Sequence, residues 1–133
     1  MTPMFSVACG IDLVDLDEFR TSLQHGGDSF LGRCFVQEEL DECAGNTESL
    51  AARFAAKEAV TKALGTGIRG LTLDQIMVTR NGVGKPGLQL RDDALRISRD
   101  QGWVSCDVSV THSAHSACAV VVALRQESGE RED

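Results

Sequence analysis

Apolar positions along this chain alternate between two rhythms, one suited to strands and one to helices. Residues 4–11, MFSVACGI, form a short apolar run with Val and Ile, the signature of a buried strand. From Leu13 to Leu23 the apolar positions Leu13, Leu16, Phe19 and Leu23 recur at helical spacing, with acids in the first turns. QHGGDS interrupts that helix, and short helices are expected over 29–34 and 36–44. The clearest element is a helix over about 48–64, ESLAARFAAKEAVTKAL, rich in Ala and free of Gly and Pro, preceded by polar GNTES and stopped at Gly65. Strands are expected at 75–80 and 88–90 around the turn NGVGKPG, then a helix over 92–101. WVSCDVSV (103–110) and SACAVVVAL (116–124) read as two central strands. One long Ala-rich helix among several strands predicts an α+β domain over 1–125, followed by an acidic, disordered tail over 126–133.

At 133 residues the chain fits one domain, and a domain of this size has little room for an enclosed active site. A cleft shared between subunits is the natural alternative. The opening has no basic region followed by a long apolar core, no run is long enough to span a bilayer, and the five cysteines lack framework spacing. These features predict a cytoplasmic protein with free thiols and no membrane partner. The net charge of −7 argues against nucleic-acid binding. Its distribution says more than its total. Residues 1–52 balance at −8, whereas 53–70 hold Arg53, Lys57, Lys62 and Arg69 against Glu58 alone. An anionic ligand belongs on that basic segment.

On the long helix Leu50, Phe54 and Leu64 share an arc, and Lys57 projects within it with Glu58 on the flank. A buried charge needs a partner. Glu58 and Lys62 have the favoured order for a helical ion pair, so a solvated pair is one reading and a ligand site the other. Gly65, Thr66, Gly67 and Arg69 follow, a turn open to phosphate although not of P-loop pattern. Asp12, at a strand end, is either a helix cap or a metal carboxylate. Mg²⁺ commonly takes one or two carboxylates and completes its shell with water and substrate phosphates, which Asp12 and Glu58 would satisfy if they meet. His112, with Thr111 and Ser113, is either structural or an anion contact. Cys106, His112, His115 and Cys118 lack the spacing of a zinc site. Arg20, Arg33 and Arg53 read as solvated or paired surface groups.

Three blocks together resemble the short-chain 4′-phosphopantetheinyl transferases, the holo-[acyl-carrier-protein] synthase family. GIDLVDLDEF (10–19) is similar to the family's Gly-x-Asp opening. LAARFAAKEAVTKALGTGI (50–68) closely resembles its Arg-Phe-x-x-Lys-Glu-Ala-x-x-Lys-Ala signature. DVSVTHSAHSACAVVVA (107–123) is similar to its Ser-x-(Thr/Ser)-His strand and the strand after it, and NGVGKPGLQL (81–90) to its Gly-Lys-Pro turn.

The resemblance implies a Mg²⁺-dependent enzyme that moves the phosphopantetheine arm of coenzyme A to a serine of an apo acyl or peptidyl carrier protein, releasing 3′,5′-ADP. It also implies a homotrimer with sites between subunits, and a place in fatty acid and lipid metabolism. Asp12 and Glu58 match the family's metal ligands, and Lys62 the lysine near the diphosphate and leaving oxygen. Arg53, Gly65, Thr111 and His112 match positions around the coenzyme, and Asp41 resembles an acid that helps activate the nucleophile. General-base help would come from Glu58 or a metal-held water. Glu18 stands where a basic, carrier-facing residue is usual, and Asp107 where many members have histidine. The first departure suggests a less acidic or specialised carrier. A degenerate homologue that only binds coenzyme A, or a metal-dependent phosphohydrolase, are the rival readings.

Overall fold

The computed structural model describes residues 4–65 and 71–127. β1 (Met4–Asp15) leads into α1 (Leu16–Cys34), α2 (Gln37–Cys43) and the long α3 (Thr47–Leu64). A short 3₁₀ turn (Leu73–Gln75) precedes β2 (Ile76–Arg80), β3 (Pro86–Leu90), α4 (Asp92–Asp100), β4 (Trp103–His112) and β5 (Ser116–Glu127). The strands form two antiparallel sheets, one of order β1-β5-β4 and one made of β2-β3. The α+β expectation is met. Of the two strands expected to be central, only β5 is; β4 lies at an edge of its sheet. β5 also runs through Glu127, three residues past the expected strand and two into the expected tail, and 128–133 lie outside the described residues.

β1 is longer than its apolar run suggested because the alternation continues through Asp12 and Val14. Ala8, Gly10, Asp12 and Val14 face inward while Val7, Cys9, Ile11 and Leu13 face out. Leu13 fits either period and so misled the boundary. Gly27, inside the interrupting stretch, is non-helical at φ 53° and ψ −138°, so α1 is two helices joined at a kink.

α3 begins at Asn46, whose side chain accepts from the Ser49 N–H, and ends at Gly65 in the left-handed region, where a glycine carries no Cβ penalty. It is buried nearly all round, packed by the three-stranded sheet on one side and by α1, α2 and β2 elsewhere. Only small side chains allow this, and Ala51, Ala55, Ala56 and Ala59 are wholly enclosed. No described helix is long and apolar enough to cross a membrane.

Two ion pairs tie α2 to this core helix. Lys57, 0% exposed, donates to Glu39 Oε1 at 2.7 Å and to the Leu73 and Ile76 carbonyls. Burial lowers its pKa, and the Glu39 charge opposes that shift. Glu39 Oε2 in turn accepts from the Val78 N–H at 2.9 Å. Arg53, expected at the surface, is instead buried, donating to Glu42 Oε1 and the Val78 carbonyl. Its distant partners could not be read from local spacing. Lys57→Met is expected to cost about 3–5 kcal/mol in urea unfolding, because it strands a buried carboxylate. Adding Glu39→Gln should restore most of that loss; additive losses in the double variant would contradict the pairing.

Candidate active site

Asp12 and Lys62, fifty positions apart in sequence, meet at the junction of β1 and α3. The Lys62 ammonium donates to Asp12 Oδ1 at 2.9 Å and to the Ile11 carbonyl at 3.0 Å. This replaces the expected Glu58–Lys62 helical pair. Asp12 does not cap α1, since Asp15 does so by accepting from the Glu18 N–H. The Asp12 carboxylate is therefore committed to the helix-facing side of β1, with only 16% of its side chain exposed.

Glu58 completes the trio electrostatically. Its pKa is raised, first by burial and then by the Asp12 charge, while Lys62 lowers it. The Lys62 pKa is raised, chiefly by its hydrogen bond to Asp12. Two partly buried carboxylates whose charges bear on each other, with one cation beside them, offer hard oxygen donors. That donor set suits a divalent ion such as Mg²⁺. Among the described residues no three His, Cys, Asp or Glu side chains come together, so the remaining ligands of such an ion would be water or substrate oxygens.

In one copy of the chain Arg53, Asp41 and His112 are engaged elsewhere, whereas the Gly65 N–H donates to the Lys62 carbonyl at 3.1 Å. Arg53 is five residues before Glu58, about 140° round the helix, and is engaged by Glu42 and Val78. Asp41 lies on the exposed side of α2, accepting from Gln37 Nε2 at 2.8 Å. Thr111 and His112 are consecutive on β4 and so point to opposite faces of the sheet. His112 Nδ1 is 3.9 Å from Glu48 Oε2, at the start of α3. Gly65 closes α3 one residue before the undescribed stretch 66–70, which contains Thr66, Gly67 and Arg69.

Sequence reasoning missed a latch between the β2–β3 turn and β4. The Lys85 ammonium donates to Asp107 Oδ1 at 2.7 Å, and this bond lowers the Asp107 pKa. Beside it runs a groove of about 510 Å³ floored by Val110, Val120 and Val122. It does not include the trio. The Gly-Lys-Pro turn was the one signal that could have flagged Lys85, but nothing local names its partner.

The family model described as the 4′-phosphopantetheinyl transferase superfamily matches residues 8–120. The chain is 38% identical over 120 residues to the holo-[acyl-carrier-protein] synthase of Geobacter sp. (strain M21), covering 87% of this chain and 96% of that protein. Its fold is similar to the holo-[acyl-carrier-protein] synthase of Neisseria meningitidis, with TM-score 0.79, 36% identity, and 87% and 96% of the two chains covered. It is equally similar, at TM-score 0.79 and 29% identity, to the Helicobacter pylori enzyme solved in complex with coenzyme A, covering 86% and 98%. With its signature blocks inside the matched span and its relatives covered almost end to end, this chain belongs to the 4′-phosphopantetheinyl transferase superfamily.

Proposed function

We infer that this protein is a holo-[acyl-carrier-protein] synthase: it transfers the 4′-phosphopantetheine arm of coenzyme A to a serine of an apo carrier protein and releases 3′,5′-ADP. The observation that carries this reading is the Asp12–Lys62 contact where β1 meets α3, about one helical turn from Glu58, in a chain similar to proteins named for that activity. Asp12 and Glu58 would hold Mg²⁺, which when bound supplies charge neutralisation for a diphosphate.

The chain's own groups then have distinct parts. As the carrier serine oxygen bonds to the β-phosphorus, the bond from that phosphorus to the ADP oxygen breaks. Lys62, exposed on one side and anchored to Asp12 on the other, places an ammonium where the departing phosphate gains charge. The serine proton would pass to Glu58 or to a metal-held water. Arg53, Gly65, Thr111 and His112 are assigned to the coenzyme and Asp41 to nucleophile activation.

That assignment suits more than one copy. Thr111 and His112 close β4 on opposite sides of one sheet, an arrangement that suits a ligand lying between neighbouring copies. The outer face of β1 and β5 carries Phe5, Val7, Ile11, Leu13, Val122 and Leu124, all exposed. A contiguous apolar sheet face of this kind is characteristic of a subunit interface. A homotrimer with sites between neighbours, working in the cytoplasm and in fatty acid metabolism, is the consistent arrangement. On α1 the cation Arg20 is drawn to Asp17 at 3.3 Å and Glu18 stands exposed, which favours a carrier less acidic than usual.

Incubation with coenzyme A, Mg²⁺ and apo-carriers of graded acidity tests the reaction. A carrier mass gain of one phosphopantetheine is expected, falling at least about 100-fold in Asp12→Ala and Glu58→Ala and fastest on the less acidic carriers. Phosphopantetheine released without any carrier would instead indicate a hydrolase. Sedimentation equilibrium tests the assembly. Wild type should sediment as a trimer and Ile11→Glu as a monomer; a monomeric wild type would contradict the shared site.

A further inference from the structure

β1 approaches α3 more closely than any residue with a side chain would allow, and Gly10 is where it does so. A Cβ built at Gly10 would stand 1.9 Å from the Ala59 carbonyl oxygen and 2.8 Å from the Ala63 nitrogen. Both are backbone atoms of α3, so no rotamer change relieves the contact. An ordinary carbon–oxygen contact is about 3.3 Å, so a methyl group here would drive strand and helix apart by about 1.4 Å. The contact falls one residue after Glu58 on the helix and two residues before Asp12 on the strand. Gly10 and Asp12 point to the same side of β1, and the Lys62 bonds to Ile11 and Asp12 span the same junction.

We propose that Gly10 is a positioning residue for the Asp12–Glu58 pair: its missing side chain sets the strand-to-helix distance at which the two carboxylates reach one divalent ion. This rests on the reading of that pair as a metal site. The functional demand on the spacing is stricter than the demand of folding. Octahedral Mg²⁺ holds its oxygens within narrow limits, and sites of this kind tolerate roughly 0.5 Å of displacement. A core can absorb a shift larger than that at some cost in stability.

Glycine at a tight contact also has an ordinary packing role, and the two roles predict different outcomes. Gly102 provides the comparison. A Cβ there would meet the Gln126 carbonyl oxygen at 2.4 Å, and its φ is +83°, so Gly102→Ala is also destabilising. In the register of β5 it lies about 20 Å from the position opposite Asp12.

The test is Mn²⁺ binding, followed by EPR, to wild type and to Gly10→Ala, Gly102→Ala, Asp12→Ala and Gly10→Ala/Asp12→Glu. Mn²⁺ is a fair probe because it shares the octahedral oxygen preference of Mg²⁺. Gly10→Ala should weaken Mn²⁺ at least about tenfold, and Gly102→Ala should leave it unchanged at a comparable loss of thermal stability. Asp12→Glu, one methylene longer, should return the Gly10→Ala variant to within about threefold of wild type. A purely packing role would give no such rescue. Unchanged Mn²⁺ affinity in Gly10→Ala, an equal loss in Gly102→Ala, or no recovery by Asp12→Glu overturns the proposal while leaving the metal site standing. Mn²⁺ binding that survives Asp12→Ala overturns the metal reading itself, and the proposal with it. If Gly10→Ala does not fold, Ala8→Val adds bulk to the same face of β1 two residues earlier. It should weaken Mn²⁺ by a smaller factor, and no change would again overturn the proposal.

Discussion

The contact of β1 with α3 is the constraint on which the rest of this molecule depends. A strand backbone touches a helix backbone because both elements present almost nothing there, Gly10 on one and alanines on the other. That seam orders the layers, since the same helix is enclosed by sheet on one side and by α1, α2 and β2 on the other. It also fixes the chemistry. Asp12 belongs to the strand, Glu58 and Lys62 to the helix, and the close approach brings the Lys62 ammonium onto Asp12. The apolar surface buried by alanine is small, so α3 relies on close packing more than on large side chains, with the buried Lys57–Glu39 pair and the half-exposed Arg53–Glu42 pair beside it. Buried ion pairs are poor sources of net stability. Here they also fix how α2, which carries Asp41, docks on the core helix.

The charge distribution follows the same division. The chain is acidic overall, yet α3 carries three cations, two of which, Lys57 and Arg53, are paired with Glu39 and Glu42. Lys62 is the exception, anchored to Asp12 but more than half exposed. An exposed ammonium tied to a carboxylate contributes little to folding. In the proposed mechanism it acts on an incoming phosphate, so this pair is assigned to function and the other two to architecture.

How much of this was legible depended on the distance over which each signal acts. α3 was readable because its evidence is local: polar residues before it, Ala-rich sequence within it, and Gly65 after it. The α+β class followed from the mixture of periods. The start of α1 was not readable, because Leu13 serves the strand rhythm and the helix rhythm equally and the cap fell to Asp15. Arg53 and Lys57 could be recognised as awkward charges on a packed helix, but their partners lie on α2 and β2 and no spacing rule reaches them. The Asp12–Lys62 contact is of the same non-local kind. Resemblance to a family brought those residues into one hypothesis, and geometry then supplied the hydrogen bond between them. Lys85 and Asp107 had no such help, and their latch was found only in the structure.

The sharing of one divalent ion by Asp12 and Glu58, against a bound diphosphate, is best examined directly. A crystal of the protein grown with coenzyme A and Mn²⁺ would locate the ion by its anomalous scattering. One peak should appear within about 2.2 Å of oxygens from both carboxylates and from the diphosphate. A peak bound to only one of the two acids, or to neither, would contradict the mechanism at its root.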